Sequence, residues 1–478
     1  MRRPVRALAI AVPAAAAVAM LFAATTAYAN VAVTRVSTDP FTDTKAQHRT
    51  EVEPDTFVNG NTIVAAFQIG RISGGGSSDT GFATSTNGGA TWTRGSLPGL
   101  TTNTGGRYNA ASDASVAFDA KHNVWLISSL GIRGGAVEVV TSRSTNGGTT
   151  WSNPVLTAGG SNDKNWIACD NTPTSPHFGN CYTEYDNTGA SNLMQMRTST
   201  DGGATWGPGR ATADRAHGLG GQPIVRPDGT VVVPYLSSSD QIRSFRSTNG
   251  GTSWGTSVLV SAVSHHDAAG GQREEALPSA EIDSAGTAYV VWSDCRFRSG
   301  CPANDVVLAK STNGSTWGAV TRVPIDATTS TMDHFTPGIG VDRSTSGGSA
   351  RVGITYYFYP NRSCTASTCV LDIGFISSTN GGTSWSAPTQ VAGPMNLSWF
   401  PNTSQGRMYG DYISTSVRNG GNAFPIVAIA AAPSGSTFNV GMFAPTGGLA
   451  VTGGTHKATE PAVVGPAAAA SAVPATLH

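Results

Sequence analysis

Carboxylate, tyrosine and arginine side chains gather at a few points of a chain in which charged residues make up only 13%. A carboxylate can give or take a proton in a pocket, and it can activate a neighbouring phenol as a nucleophile. Guanidinium groups pair with carboxylates in a bidentate fork, so arginines in the same pocket suit an anionic ligand. The carboxylate and tyrosine candidates are Asp113, Glu275, Asp411, Tyr409 and Tyr412, and the arginine candidates are Arg71, Arg107, Arg296 and Arg407.

A simpler interpretation of these charges competes with the chemical one. Solvated loop charges and ion pairs between neighbouring elements give the same composition and contribute little each. The same choice applies to the His265-His266-Asp267 segment, which is either a metal-binding motif or a solvated loop. Whether these residues meet in one site therefore depends on the secondary-structure elements that carry them.

Those elements are organised by a repeated turn of the form S-T-N-G-G-x-T-W. Its Asn or Asp side chain can accept backbone N–H groups just downstream, and its glycine pair allows positive φ. The tryptophan supplies a large apolar plate for packing. We call these segments the boxes, and they occupy residues 85–92, 144–151, 199–206, 247–254, 311–317 and 378–385, of which the fifth is one residue short.

The spacing of the boxes predicts an all-β fold. Successive boxes start 48 to 67 residues apart, and about four short apolar strands fit in each interval, which is typical of a β-propeller blade. A further set of strands follows the sixth box, so we expect seven blades, with six as the alternative. Residues 31–36 supply the strand that the last blade lacks and leave no open sheet edge.

The alternation of strands assigns the loops to two faces. The boxes lie on one face, and the blade-to-blade loops and the loops between the second and third strands lie on the other. That second face carries the arginine candidates and the carboxylate and tyrosine candidates, which the inner strands direct toward the central channel. Carboxylates and arginines in such a pocket suit acid–base work on a glycosidic bond of an anionic sugar.

The boxes resemble the Asp-box, S-x-D-x-G-x-T-W, of sialidases and related BNR-repeat proteins, over about residues 30–445. The resemblance implies an exo-alpha-sialidase-like glycoside hydrolase. In such an enzyme an Asp is the acid/base, a Tyr paired with a Glu is the nucleophile, and arginines bind the sugar carboxylate. Carried over, these roles fall on Asp113, on Tyr412 or Tyr409 with Glu275, and on the four candidate arginines.

The two ends and the cysteines suggest an exported protein. Residues 1–29 read as a signal peptide, with Arg2, Arg3 and Arg6 before an apolar run and an Ala-Tyr-Ala cleavage site. Residues 446–478 read as a low-complexity, disordered tail. Six cysteines form three close pairs, which an oxidising compartment would join as local disulfides: Cys169/Cys181, Cys295/Cys301 and Cys364/Cys369.

Balanced charge, with 30 basic and 30 acidic residues, gives no reason to expect a nucleic-acid partner. No segment after the signal peptide is apolar for long enough to cross a membrane. We expect a monomer with a carbohydrate substrate, and no residue pattern indicates a metal, a structural calcium ion or another cofactor.

Three functions fit this sequence: a sialidase-type glycosidase, another glycan-cleaving enzyme such as an exo-glycosidase or polysaccharide lyase, or a non-catalytic propeller that binds glycan or protein. The first requires Asp113, Glu275 and a Tyr to converge among at least three arginines. The second requires a carboxylate pair without that arginine triad, and the third requires no perturbed acid.

Overall fold

A computed structural model describes residues 28–457, which fold as short β-strands joined by turns and five short 3-10 helices, with no α-helix among them. The predicted signal peptide lies outside these residues except for Tyr28 and Ala29, which form a strand, and residues 458–478 of the predicted tail also lie outside them. The 3-10 helices are Thr102–Thr104, Thr188–Ala190, Ala269–Gly271, Gly347–Ser349 and Leu397–Trp399. In this part of the chain no helix has the length and apolar character needed to cross a membrane.

The strands are rich in β-branched and aromatic residues and pair antiparallel with their sequence neighbours in small units. Strands β1 (Tyr28–Ala29) and β2 (Val33–Arg35) come first. The next units are β3 (Ala46–Asn59), β4 (Thr62–Ile72), β5 (Ser77–Ser85) and β6 (Thr93–Ser96); β7 (Ala110–Asp119), β8 (Val124–Arg133), β9 (Ala136–Ser144) and β10 (Val155–Ala158); and β11 (Asn162–Cys169), β12 (Cys181–Asn187), β13 (Leu193–Ser199) and β14 (Arg210–Ala211).

The C-terminal half continues the same pattern. Its units are β15 (Gly218–Leu219), β16 (Ile224–Val225), β17 (Val231–Ser237), β18 (Gln241–Ser247) and β19 (Val258–Ala262); β20 (Ser279–Ile282), β21 (Ala288–Asp294), β22 (Asp305–Ser311) and β23 (Thr321–Arg322); and β24 (Asp333–Val341), β25 (Val352–Tyr359), β26 (Val370–Ser378), β27 (Ser384–Trp385) and β28 (Thr389–Asn396). The last strands are β29 (Asn402–Thr403), β30 (Gly406–Arg407), β31 (Ser414–Val417), β32 (Ala423–Ala430), β33 (Val440–Pro445) and β34 (His456–Lys457).

Each unit has one inner strand, and the inner strands contact one another around a ring. The contacts run in chain order through β3, β7, β11, β16, β20, β24 and β31, and β31 returns to β3. Most residues of these strands are buried, because each strand lies between the two neighbouring units of the ring. The inner ends of the units therefore surround one central space.

Each box closes a hairpin and packs a glycine against the preceding unit. In the first box, Ser85 Oγ accepts the N–H of Gly89 at 2.8 Å and Asn87 Oδ1 accepts the N–H of Thr91 at 2.9 Å. Gly89 has φ +86, and a Cβ at this position would collide with the ring of Phe424. The boxes are thus contacts between units, which agrees with the structural role that their sequence indicates.

The N-terminal segment pairs with the end of the chain, as the sequence predicts. Strand β2 lies antiparallel to β33, with Val33 opposite Pro445 and Arg35 opposite Phe443. Beyond β33, Leu449 bonds to Ala423 through the backbone, and β34 pairs with β27. The three expected disulfides are present: Cys169–Cys181, Cys295–Cys301 and Cys364–Cys369.

Candidate functional site

A repeated β-bulge directs side chains toward the central space. The pairing register shifts at Val52/Asp55 of β3, Ser112/Ser115 of β7, Asp163/Trp166 of β11 and Phe335/Gly338 of β24. At these bulges Glu53, Asp113, Lys164 and Thr336 have φ of 54°, 44°, 48° and 48°. A non-glycine residue in this left-handed region costs roughly 1–2 kcal/mol, and such residues concentrate at functional sites.

Three of these bulge residues meet two charged loop residues in what we call the central cluster: Glu53, Asp113, Lys164, Arg273 and Asp411. The Lys164 ammonium bonds to Asp411 Oδ2 and lies 3.8 Å from Glu53 Oε1 and 4.0 Å from Asp113 Oδ2. The Arg273 guanidinium also donates to Asp411 Oδ2. One lysine therefore serves three carboxyl groups that come from different units of the ring.

Glu53 is held in its protonated form. Its side chain is 1% exposed, and burial followed by the neighbouring Asp113 charge raises its pKa to about 8. The amide of Gln68 donates to Glu53 Oε2, and Gln68 also contacts Ser112 Oγ at 3.0 Å. Because the pKa of Glu53 lies above neutrality, this carboxyl group is protonated at pH 7.

Asp411 is held in the opposite state. Burial alone would raise its pKa, but Arg273 and then Lys164 pair with the carboxylate and lower the pKa well below its usual range. Asp411 Oδ1 is buried and has no hydrogen-bond partner among the described residues. The structure thus places a protonated carboxyl group and an ionised one beside the same ammonium.

A small cavity adjoins the central cluster. Lys164 and Asp411 line one side of it, with Trp166 and Tyr412, whose rings meet edge to face at 5.1 Å. The remaining lining comes from later units, from residues within or just before their inner strands, and includes Gln222, Leu277, Pro278, Thr336 and Pro337. This cavity combines a charged wall with aromatic and apolar walls.

Of the residues singled out in the sequence, Asp113, Asp411, Tyr412 and Arg71 lie at or beside the central cluster. The Tyr412 hydroxyl donates to Ala114 O at 3.3 Å, and burial raises the pKa of this phenol well above its usual value. Arg71 is 3% exposed and donates to Gly76 O at 2.8 Å and Gln68 Oε1 at 3.2 Å. Burial lowers the pKa of Arg71.

Glu275 lies at the edge of the central cluster. It is half-buried, burial raises its pKa, and Asp411, Lys164 and Arg273 all act on its charge. Asp163 occupies a comparable place beside Lys164, where burial and then the Asp113 charge raise its pKa to about 6.

The structure does not bring the other three candidate arginines to the central cluster. Arg107 is exposed and bonds to Tyr108 and to Glu138 Oε2, both at 2.7 Å. Arg296 pairs with Asp294 beside β19, and Arg407 donates to Phe400 O at 2.7 Å. Each guanidinium is satisfied by a group close to it in the fold.

Tyr409 lies behind the cavity wall and is fully buried. Its hydroxyl accepts the Gln272 amide at 3.0 Å and contacts Thr336 Oγ1 at 2.7 Å, while its ring packs 4.0 Å from that of Tyr357. The Tyr359 hydroxyl donates to the other end of the same Gln272 amide. Tyr409 therefore anchors Gln272, and Gln272 directly precedes the Arg273 that pairs with Asp411.

Glu53, Lys164 and Arg273 are not among the nine candidate residues named above from the sequence, although a signal for two of them exists. Glu53, Asp113 and Lys164 each stand six residues before the Asn or Asp that ends their inner strand, at Asn59, Asp119 and Asp170. This constant offset marks the bulge position. Arg273 lies in a long loop with no repeated counterpart.

One set of His and carboxylate ligand atoms in the described residues falls within 4.8 Å, from Asp305, Asp326 and His334. Arg298 Nη2 donates to Asp305 Oδ1 at 2.7 Å and Arg322 Nη2 donates to the same oxygen at 2.8 Å. Both guanidinium groups also pair with Asp326. Two cations thus balance the two carboxylates, so we assign this set to a structural ion-pair network.

No protein-family model and no curated protein matches the chain. Among solved structures, an ulvan lyase, a polysaccharide lyase, is 10% identical, with 84% of this chain and 96% of that chain covered and a TM-score of 0.50. An intramolecular trans-sialidase from Ruminococcus gnavus is 14% identical (80% and 90% covered, TM-score 0.39). An alpha-L-arabinofuranosidase from Fusarium graminearum is 13% identical (73% and 97%, TM-score 0.42).

The likeness to ulvan lyase concerns the fold alone. Together with the ring of inner strands, it identifies the architecture as a β-propeller.

Proposed function

We propose that this protein is a glycoside hydrolase that works through the central cluster, with Glu53 as the general acid and Asp411 as the ionised carboxylate. The observation that carries the proposal is the pairing of two carboxyl groups with opposite pKa shifts beside one ammonium. When the surroundings raise the pKa of one carboxyl group and lower that of its neighbour, the first can act as the acid and the second stays ionised. A polysaccharide is also the substrate class in the name of the ulvan lyase that shares the fold.

In this mechanism Glu53 donates its proton to the glycosidic oxygen as the bond to the anomeric carbon breaks. Asp411 faces the positive charge that develops at that carbon, and its unpartnered Oδ1 is the oxygen that can do so. Water then adds to the anomeric carbon and its proton returns to Glu53. Arg273 and Lys164 keep Asp411 ionised throughout.

Backbone strain supports a functional role for the cluster. Glu53, Asp113 and Lys164 all hold left-handed conformations that a purely structural strand would avoid. The structural ion pair of Arg298 and Asp305 shows no such strain, since neither residue has a left-handed backbone conformation.

A sialidase-type enzyme is the narrower form of the proposal. Asp113 belongs to the central cluster and Tyr412 lies beside it, as that form requires, but Arg71 is the single candidate arginine found there. We therefore propose glycoside hydrolysis as the reaction and leave sialic acid specificity to the test below.

We also propose that the ring consists of seven blades, with β2 completing the blade of β31–β33, and that the protein is exported. Seven inner strands carry the first part of this proposal. The three disulfides support the second, since disulfides persist in oxidising compartments.

The test is release of 4-methylumbelliferone from a panel of neutral, amino and sialic acid glycosides. We expect turnover by the wild type and a loss of at least about a hundredfold in kcat for Glu53→Gln and for Asp411→Asn. Glu138→Gln, which removes an exposed carboxylate paired with Arg107, is the matched control and should keep full activity.

Three results would overturn the proposal. The first is no turnover by folded wild type, and the second is unchanged kcat in Glu53→Gln. The third is formation of an unsaturated product from a uronate polysaccharide, which would point to a lyase. Turnover of the sialoside alone would establish the sialidase-type form.

A further inference from the structure

A groove of about 610 Å³ lies between the unit β20–β23 and the unit β24–β28, and we call it the box groove. Strand β24 carries Thr336, which lines the cavity beside the central cluster, and the turn after the far end of β24 carries Gly347 and Gly348, which line the box groove. The two sites share no lining residue. The box groove takes most of its lining from the fifth and sixth boxes, including Thr312, Asn313, Thr316, Trp317, Asn380 and Thr383. Its volume falls in the range of small-molecule sites, about 300–1,000 Å³.

The missing residue of the fifth box changes the hydrogen bonds of its side chains. In the first box Asn87 Nδ2 donates to Thr91 Oγ1 at 2.8 Å, and the second, fourth and sixth boxes form the same bond at 2.7 to 2.9 Å. In the fifth box Asn313 Oδ1 still accepts the N–H of Thr316 at 2.8 Å. Neither Asn313 Nδ2 nor Thr316 Oγ1, however, has a hydrogen-bond partner in residues 28–457. Both residues are exposed and line the box groove, so an amide donor and a hydroxyl are free there.

Trp317 gives the box groove an apolar surface. The tryptophans of the second, fourth and sixth boxes are at most 7% exposed, whereas Trp317 is half-buried and lines the groove. Its indole Nε1 donates to the fully buried Ser244 Oγ at 3.0 Å, so the polar edge of the ring is already satisfied inside the protein. The accessible part of the ring is therefore carbon. The C–H face of a pyranose ring can cover such a surface and remove it from water.

The charge of the box groove favours a neutral ligand. Among the described residues that line it, Lys310 is the one that carries a charge, and its ammonium donates to Gly381 O at 2.9 Å. No carboxylate of these residues is present to hold a cation, and an anion would meet a single ammonium that is already directed to a backbone carbonyl. The other polar groups are hydroxyls, amides and glycine backbone, which exchange hydrogen bonds with neutral hydroxyl groups.

We infer that the box groove is a non-catalytic binding site for a neutral glycan, with a pyranose ring against Trp317 and its hydroxyl groups bonded to Asn313 Nδ2 and Thr316 Oγ1. The inference is independent of the proposed hydrolase activity, because the two sites share no residue. If both are correct, a polysaccharide held in the box groove stays close to the protein between cleavages, which raises its effective concentration at the central cluster.

The experiment is titration calorimetry of protein carrying Glu53→Gln, so that the proposed acid cannot consume the ligand. The probes are three neutral hexamers (cellohexaose, mannohexaose and xylohexaose) and the anionic hexamer of galacturonic acid. We expect at least one neutral hexamer to bind with a Kd of about 1 mM or tighter, and more tightly than the galacturonate.

Three changes test the residues, each added to Glu53→Gln. Thr316→Val keeps the shape and backbone of the turn and should weaken binding about fivefold, the effect of one hydrogen bond between neutral groups. Insertion of a glycine between Gly314 and Ser315 gives the fifth box its eight-residue form, in which the amide and hydroxyl bond to each other, and should weaken binding at least as much. Trp317→Ala should weaken it at least tenfold. Thr91→Val, the same substitution in the complete first box, is the matched control and should leave binding unchanged.

Binding of no neutral hexamer, tighter binding of the galacturonate, or affinity that Thr316→Val and the glycine insertion both leave intact would overturn the inference. If Trp317→Ala does not fold, the other two variants still decide the outcome. Turnover of a 4-methylumbelliferyl glycoside separates the two proposals, since Thr316→Val in the wild-type background should leave its kcat unchanged. Neutral glycan binding that depends on Thr316, with no turnover of any glycoside, would refute the hydrolase and support the inference. Turnover without such binding would do the reverse.

Discussion

Replacing Glu53 by Gln should make the protein more stable than the wild type at alkaline pH. The glutamine amide resembles the protonated carboxyl group in shape and cannot ionise. Glu53 has a pKa raised from 4.5 to about 8, so its contribution to the free energy of unfolding is complete below pH 4.5. That contribution disappears as the pH rises through 8, because the buried carboxylate must then ionise.

The magnitude follows from the two pKa values. Between pH 5 and pH 9 this one group should lower the free energy of unfolding of the wild type by about 4 kcal/mol, since each pKa unit is worth about 1.4 kcal/mol. Other buried acids with raised pKa values, such as Asp55 and Asp79, remain in both proteins and cancel in the comparison.

The assay is denaturant unfolding of wild type and Glu53→Gln at several pH values from 5 to 9. The two should agree within about 1 kcal/mol at pH 5 and diverge in favour of the variant by about 4 kcal/mol at pH 9. Glu138→Gln, at the exposed pair with Arg107, should track the wild type within about 1 kcal/mol. A difference between wild type and Glu53→Gln that stays constant over this range would refute the burial argument.

Three further perturbations test separate parts of the structure. Lys164→Met removes the ammonium that faces three carboxyl groups and should lower the free energy of unfolding by about 3–5 kcal/mol in denaturant unfolding. A cost below about 1 kcal/mol would mean that the ammonium does not compensate these groups. Tyr359→Phe, which removes the hydroxyl that donates to Gln272 Oε1, should lower kcat on whichever glycoside is turned over. Tyr357→Phe, which breaks hydrogen bonds to Ala428 in the same core, should leave kcat unchanged. Equal effects of the two variants on kcat would show that Gln272 does not position Arg273. Gly89→Ala should lower the melting temperature more than Gly135→Ala. Both glycines have similar φ, but only at Gly89 would the added Cβ collide with the ring of Phe424. Equal decreases in melting temperature would contradict this contact.

Much of the fold could be predicted from the sequence, because the residues that define it lie close together in the chain. A box needs only eight consecutive residues to make its hydrogen bonds, and each disulfide joins cysteines 5 to 12 residues apart. The pairing of β2 with β33 was also predictable, since one set of strands lacked a partner.

The site was harder to predict from the sequence, because it depends on local backbone geometry and on ion pairs between residues far apart in the chain. Hydrophobic alternation does not reveal a bulge, yet the bulges decide that Glu53 and Lys164 point to the centre. Arg107 and Arg296 sit on the expected kinds of loop but pair with Glu138 and Asp294, which lie closer to them in the fold. Arg273 reaches Asp411 across 138 residues of sequence, and no local pattern encodes that distance.

The recurring bulge has a consequence for how such a protein can change. It gives four of the units one position whose backbone is alike and whose side chain differs, and those positions hold Glu53, Asp113, Lys164 and Thr336. A single codon change at one of them alters the centre of the ring without disturbing the pairing of any strand. Gene duplication and point mutation at these equivalent positions can therefore change the ligand preference while the fold stays the same.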